Sequence, residues 1–114
     1  MKVLIANRGE IAARIDRAVR ALGWSVQHVH TAEEAGTTAD GSILLPRAGV
    51  AGYLDVEAIV DAAVRSGAEL VHPGYGFLSE SAELARACAE AGLVFVGPQP
   101  DSLELFGDKG RARE

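Results

Sequence analysis

Short apolar runs and longer amphipathic stripes alternate along the chain. Lys2-Val3-Leu4-Ile5-Ala6 is a continuous apolar run, the pattern of a strand buried on both faces. From Glu10 the apolar residues recur at Ile11, Ile15, Ala18, Val19 and Leu22. That spacing predicts one face of a helix, with Arg14, Arg17 and Arg20 largely off it and Gly23 placed to end it. Trp24 to His30, with Val26 and Val29 as its apolar content, predicts a second strand and completes a short βαβ unit. Asp55 is placed to cap a helix whose stripe is Val56, Ile59, Val60 and Ala63 and which Gly67 ends. Leu70-Val71-His72 reads as another strand, followed by a helix from Ser79 or Ser81 to Ala91 that packs through Leu84, Ala85 and Cys88 and stops at Gly92. Leu93-Val94-Phe95-Val96 is the last apolar strand, closed by Gly97-Pro98. Asp101-Ser102-Leu103-Glu104 then has the form of a capping box, predicting a short helix to Phe106. Strands and helices alternating over short connections predict a parallel, three-layer α/β sheet of Rossmann-like type.

The exception is Thr31 to Gly52, which carries Gly36, Gly41, Gly49 and Gly52 and only Ser42-Ile43-Leu44-Leu45 as a strand-like run. A loop of that length covers something or moves. Composition adds bounds. With 114 residues, 48% of them hydrophobic, the chain is sized for one domain that buries about two-thirds of its unfolded-chain surface. A net charge of -5 without a basic patch argues against nucleic acid and against an anionic membrane surface as partners. Cys88 is the lone cysteine, without an internal disulfide partner or metal-ligand spacing, and reads as a small core residue in a reducing compartment. With neither a signal-like N-terminus nor a membrane-length apolar run, the expected location is the cytoplasm.

Candidate chemistry is sparse over most of the chain. The Asn7-Arg8-Gly9-Glu10 loop joins the first strand to the first helix, where a dinucleotide-binding fold puts its glycines. This loop has only Gly9 and sets Glu10 at the helix start, where a carboxylate suits the helix dipole but repels phosphate. Arg8 is left two roles, an ion pair with Glu10 or another acidic neighbour, or an anion contact in the crevice. His72 reads as a hydrogen-bonded structural residue. His28 and His30 share a strand face without a third ligand and read as solvent-side. Glu80 and Glu83 are explained by a helix's first turn. No metal site and no catalytic residue is expected.

The informative stretch is His72-Pro73-Gly74-Tyr75-Gly76-Phe77-Leu78-Ser79-Glu80-Ser81. It falls at the carboxyl end of a predicted strand, where open α/β sheets bind ligands. Its glycines allow positive φ and close approach of another chain or a ligand. Two readings stay open: Tyr75 packs on the sheet edge in a tight turn, or it is presented to a ligand. Together with Ile5-Ala6-Asn7-Arg8-Gly9-Glu10-Ile11-Ala12 near the start and Gly107-Asp108-Lys109 near the end, this stretch resembles the amino-terminal domain of the biotin carboxylase family, the ATP-dependent components of acyl-CoA and pyruvate carboxylases. The motifs stand in the family's order and at roughly its spacing.

The resemblance implies a pre-ATP-grasp α/β domain over residues 1–106 and, over 107–114, the start of a passage into an ATP-grasp domain. It implies that Lys109 contacts ATP and that Tyr75 and Gly76 lie near biotin. In the whole enzyme it implies ATP, Mg²⁺ and biotin as cofactors, bicarbonate as the carboxyl source through carboxyphosphate, and a biotin carboxyl carrier domain as partner. The family's metal ligands and glycine-rich lid lie downstream of these residues, so the chain alone is expected to hold no cofactor tightly and to be inactive. Homodimerisation is also implied, partly through the first helix, where Arg17 matches a basic interface position and Ala21 stands in place of its acidic partner. The sequence departs from the family in 31–52, where Thr38-Ala39-Asp40-Gly41 replaces a longer aspartate-rich segment. A stand-alone association module and the first domain of another ATP-grasp ligase, such as carbamoyl-phosphate synthetase or glycinamide ribonucleotide synthetase, are the alternatives.

Overall fold

The computed structural model describes residues 1–36 and 41–96. Five parallel strands form one sheet in the order β3-β2-β1-β4-β5, with β1 at Lys2–Ile5, β2 at Ser25–His30, β3 at Ile43–Leu44, β4 at Leu70–His72 and β5 at Val94–Phe95. The predicted α/β sheet is therefore the observed one. The central strand, β1, pairs Val3 with Val26 on one side and with Leu70 on the other.

Helix α1 (Gly9–Ala21) follows β1, and the short α2 (Val50–Tyr53) precedes α3 (Val56–Ser66). Asp55 caps α3 by accepting the Ala58 N–H at 3.1 Å, and Gly67 ends it in the left-handed region at φ 77°. Helix α4 (Ala82–Glu90) is capped by Ser81, whose hydroxyl accepts the Leu84 N–H at 3.0 Å. Of the two candidate serines, Ser81 is thus the cap. Glu83 lies in the first turn of α4, whereas Glu80 precedes the helix, which corrects the expectation for Glu80.

Strand alternation divides the sheet into two faces. Leu4, Ala6, Val29, Val71 and the partly buried Phe95 point to the side of α3 and α4, meeting Ile59, Ala62, Ala63, Leu84 and Cys88. Cys88 is fully buried there, and burial pushes its thiol up to about 11. The segment expected to be irregular holds more structure than its glycines suggest: a 3-10 turn at Ala32–Glu34, then β3 and α2. Tyr53 is the reason α2 belongs to the core, being 1% exposed. Residues 37–40 lie outside the described residues, as do the helix expected over 102–106 and Lys109.

Candidate functional site

The loops after β1 and β4 emerge together at the carboxyl edge of the sheet, because these strands are neighbours in register, Ile5 beside His72. Asn7 joins them. Its amide donates to the carbonyl of Pro73 at 2.8 Å and to that of Tyr75 at 2.7 Å, while its Oδ1 accepts the Arg8 N–H at 2.8 Å. At 2% exposure the side chain has exchanged water for these bonds alone, so each is costly to lose.

Gly74 packs tightly against Asn7 and the start of α1. It has φ 67°, and a Cβ there would stand 2.7 Å from Ile11 Cγ2 and 3.0 Å from Asn7 Nδ2. Only glycine fits both the conformation and the space. Its N–H is accepted by His72 Nδ1 at 3.1 Å. His72 is therefore the hydrogen-bonded structural residue its setting predicted, and burial lowers its pKa.

Beyond Gly74 the chain is held by its backbone while Tyr75 points outward. Tyr75 is 77% exposed as a residue, which decides against packing on the sheet edge. Gly76 follows at φ 72°, with nothing within 4 Å of where a Cβ would be, so its α-carbon faces open space. Phe77 then adopts φ 46°, the left-handed region that non-glycine residues enter at a cost. The turn closes with Ser79 N–H donating to Gly76 O at 2.9 Å and Ser81 N–H donating to Leu78 O at 3.0 Å.

What holds Phe77 in place is a cluster that sequence reasoning did not assemble. Its ring lies 5.0 Å from that of Tyr53, and the Arg8 guanidinium carbon sits 5.7 and 5.8 Å from the two ring centroids. Arg8 pairs with Glu34 at 3.7 Å, not with Glu10, which pairs instead with Arg17 at 3.4 Å. The Tyr53 hydroxyl donates to Glu34 Oε1 at 2.6 Å, and the Thr31 N–H and hydroxyl donate to the same oxygen at 3.0 Å. Burial raises the Glu34 pKa, but these donors and Arg8 outweigh it and hold the carboxyl below its ordinary value. Burial and the neighbouring Glu34 carboxylate push the Tyr53 phenol up, so it stays a donor. No sequence signal pairs Tyr53 and Glu34 with the loop.

His28 and His30 correct the solvent-side expectation. On their face of β2, α1 brings Asp16 Oδ2 to 2.7 Å from His28 Nε2, while Ser42, just before β3, sets its Oγ 2.8 Å from His30 Nδ1. Burial raises the Asp16 pKa, but hydrogen bonds from His28 and Arg20 bring it below its ordinary value. With Arg8, Glu34 and Tyr53, the side chains of Asp16, His28 and His30 line a polar crevice of about 510 Å³. Among the described residues no group of three or more His, Cys, Asp or Glu side chains is placed to hold a metal ion. No helix among them is long and apolar enough to cross a membrane.

A family model described as "Biotin carboxylase, N-terminal domain" matches residues 1–103. The chain is 46% identical over 119 residues to the pyruvate carboxylase of Bacillus subtilis, covering 99% of this chain and 10% of that protein. Among solved structures it superposes on the biotin carboxylase domain of a single-chain bacterial carboxylase with TM-score 0.93 and 58% identity, covering 98% of this chain and 27% of that one. It also matches the biotin carboxylase domain dimer of 2-oxoglutarate carboxylase from Hydrogenobacter thermophilus, in complex with MgADP, ADP and bicarbonate, with TM-score 0.92 and 44% identity over 97% of this chain and 25% of that one. The chain thus spans a tenth of that curated relative and about a quarter of those structures. By the family match and by the identity it shares with these carboxylases, the chain belongs to the biotin carboxylase family, as its amino-terminal domain.

Proposed function

We propose that this domain supplies one wall of the site at which a larger enzyme, using ATP, Mg²⁺ and bicarbonate, carboxylates biotin on a carrier domain. The observation that carries the reading is the contrast within 72–81: a backbone pinned by Asn7 and His72, and an exposed Tyr75 beside a glycine whose α-carbon is open. Such a loop offers a ring face and a close backbone approach to a flat, uncharged bicyclic group, which suits biotin better than a polyphosphate. Tyr75 and Gly76 are accordingly the biotin-side residues. The β1 to α1 loop places Glu10 in the first turn of α1, which disfavours phosphate there. ATP contact therefore falls to Lys109, by its match to the family's Gly-Asp-Lys motif, and residues 1–106 serve as the domain with 107–114 as its exit. A lysine ammonium suits that role as a compact charge for phosphate oxygens.

The chain alone is not expected to turn over ATP, and the acceptor that finally receives the carboxyl group is chosen elsewhere. A dimer through the exposed side of α1 fits Arg17, whose side chain is 65% exposed. The reading is tested in the full-length protein by Tyr75→Ala. The expected result is a raised KM for biotin with ATP cleavage still dependent on bicarbonate, and an unchanged KM for biotin overturns the assignment. The native mass in the source cells separates this reading from a stand-alone association module: a mass several times that of the chain supports the carboxylase, and one near the 11.9 kDa of the chain itself favours the module.

A further inference from the structure

Two consecutive residues of the β1 to α1 loop grip the Tyr75 loop at separate points. The Asn7 amide holds it before Gly76, through the carbonyls of Pro73 and Tyr75. Arg8 holds it after Gly76, its guanidinium carbon lying 5.7 Å from the centroid of the Phe77 ring and 5.8 Å from that of Tyr53. At that range a cation is drawn to a ring face. The guanidinium is also paired with Glu34 at 3.7 Å, and the Arg8 N–H is tied to Asn7 Oδ1. Tyr75-Gly76 is thus strung between two fixed points, while Gly76 itself has nothing within 4 Å of a Cβ position.

The second grip has a specific task. Among the described residues Phe77 alone of the non-glycines has a positive φ, 46°. A bulky residue keeps that conformation only where its surroundings impose it. Here the ring is packed on the core, against Tyr53 and beneath Arg8. Released from Arg8, Phe77 relaxes toward negative φ, and the course of the chain through Gly76 and Tyr75 turns with it. We propose that Arg8 is a positioning residue for biotin: without touching it, the guanidinium fixes Phe77 and so sets where Tyr75 and Gly76 stand. The proposal rests on the biotin reading of that loop. Lysine is a poor substitute, because the pair with Glu34 needs only a charge, whereas lying over two rings needs the flat, weakly hydrated guanidinium. An anion contact, the other role open to Arg8, is disfavoured because Glu34 already meets the charge.

The test is made in the full-length protein with free biotin as substrate. Arg8→Ala is expected to raise the KM for biotin about tenfold, the equivalent of the strain at one left-handed residue. The kcat at saturating biotin and the KM values for ATP and bicarbonate should hold, and Arg8→Lys should fall between Arg8→Ala and the parent. In a Phe77→Gly background a positive φ carries no penalty and the ring is gone. There Arg8→Ala is expected to change the KM for biotin by less than about twofold, since residues acting through one contact are not additive. Hydrogen exchange gives a readout free of substrate: Arg8→Ala should speed exchange at the Ser79 amide, which donates to Gly76 O, while the strands keep their protection. Additive effects overturn the proposal, as does a raised KM for ATP or bicarbonate with that for biotin unmoved. Tyr75→Ala separates this failure from that of the biotin reading. If it raises the KM for biotin and Arg8→Ala does not, the positioning role alone falls; if neither does, both fall, even where Ser79 exchanges faster.

Discussion

The loops after β1 and β4 lie side by side at one edge of the sheet, yet their side chains are used in opposite ways. Arg8, on the first, is engaged on three sides, by Glu34 and by the rings of Tyr53 and Phe77. Tyr75, on the second, has its carbonyl bound by Asn7 and its ring in solvent. A partnered arginine beside an unpartnered tyrosine separates support from presentation. The polar crevice is where one expects an anion from composition, but its charges already satisfy one another. The presented group is aromatic, and Arg8 and Tyr53 at the crevice hold its loop through Phe77.

Substitutions rank along that division. Gly74→Ala should act most strongly, since it adds both a Cβ contact of 2.7 Å and an unfavourable φ; a loss of about 3 kcal/mol is expected in urea unfolding. Asn7→Asp follows, because it turns a carboxylate oxygen toward two carbonyls that now accept hydrogen bonds. Its expected cost is about 2 kcal/mol, with faster hydrogen exchange at Gly74. If Asn7→Asp proves as stable as the parent, the two loops are not held by that side chain. Tyr53→Phe removes one donor from Glu34 and should cost about 1 kcal/mol, a smaller value because Thr31 and Arg8 remain.

Acidification sharpens the same contrast. The folded protein holds the His72 pKa below its ordinary 6.5 through burial, so as pH falls the unfolded chain takes up that proton first. The contribution of His72 to stability is therefore complete above 6.5 and declines as pH drops below it toward the folded value. Glu34 and Asp16, held below their ordinary values, lose theirs only at lower pH, as it falls through the folded carboxyl values. A urea midpoint that does not fall between about pH 7 and pH 5 would remove His72 from the loop's support. Smallest of all is Tyr75→Ala, expected within about 0.5 kcal/mol of the parent in unfolding, against its large expected effect on biotin use.

Where residues near in sequence decide structure, the fold was legible. The stripe Val56, Ile59, Val60, Ala63 gave α3, Asp55 and Gly67 gave its ends, and the apolar runs gave the sheet. The loop 72–81 announced itself by composition. What escaped depends on contacts between distant residues. Glu34 and Tyr53 lie in a stretch whose glycines suggested a loop, and they meet near Phe77 only because the β2-to-β3 and β3-to-β4 connections converge there. His28 and His30 were misjudged because the strand pattern says which residues share a face but not which face α1 covers. Arg8 had several acidic neighbours to choose from, and local spacing favoured Glu10 over Glu34.

The bonds from Asn7 to Pro73 and Tyr75 span 66 and 68 positions, and they set an order of events. Strand β1 precedes the other described strands in the chain but sits in the middle of the sheet, with β2 on one side and β4 on the other. The loop that carries Tyr75 cannot take its shape until β4 has docked against a strand synthesised long before. Closing so long a stretch of chain comes late in folding. A nascent chain stalled before β4 leaves the ribosome can form the β1-α1-β2 unit, but Asn7 in that unit is an unsatisfied amide waiting for its partners. The loop that displays Tyr75 is therefore shaped only once β4 has docked on β1, with α4 and β5 still to follow in the chain.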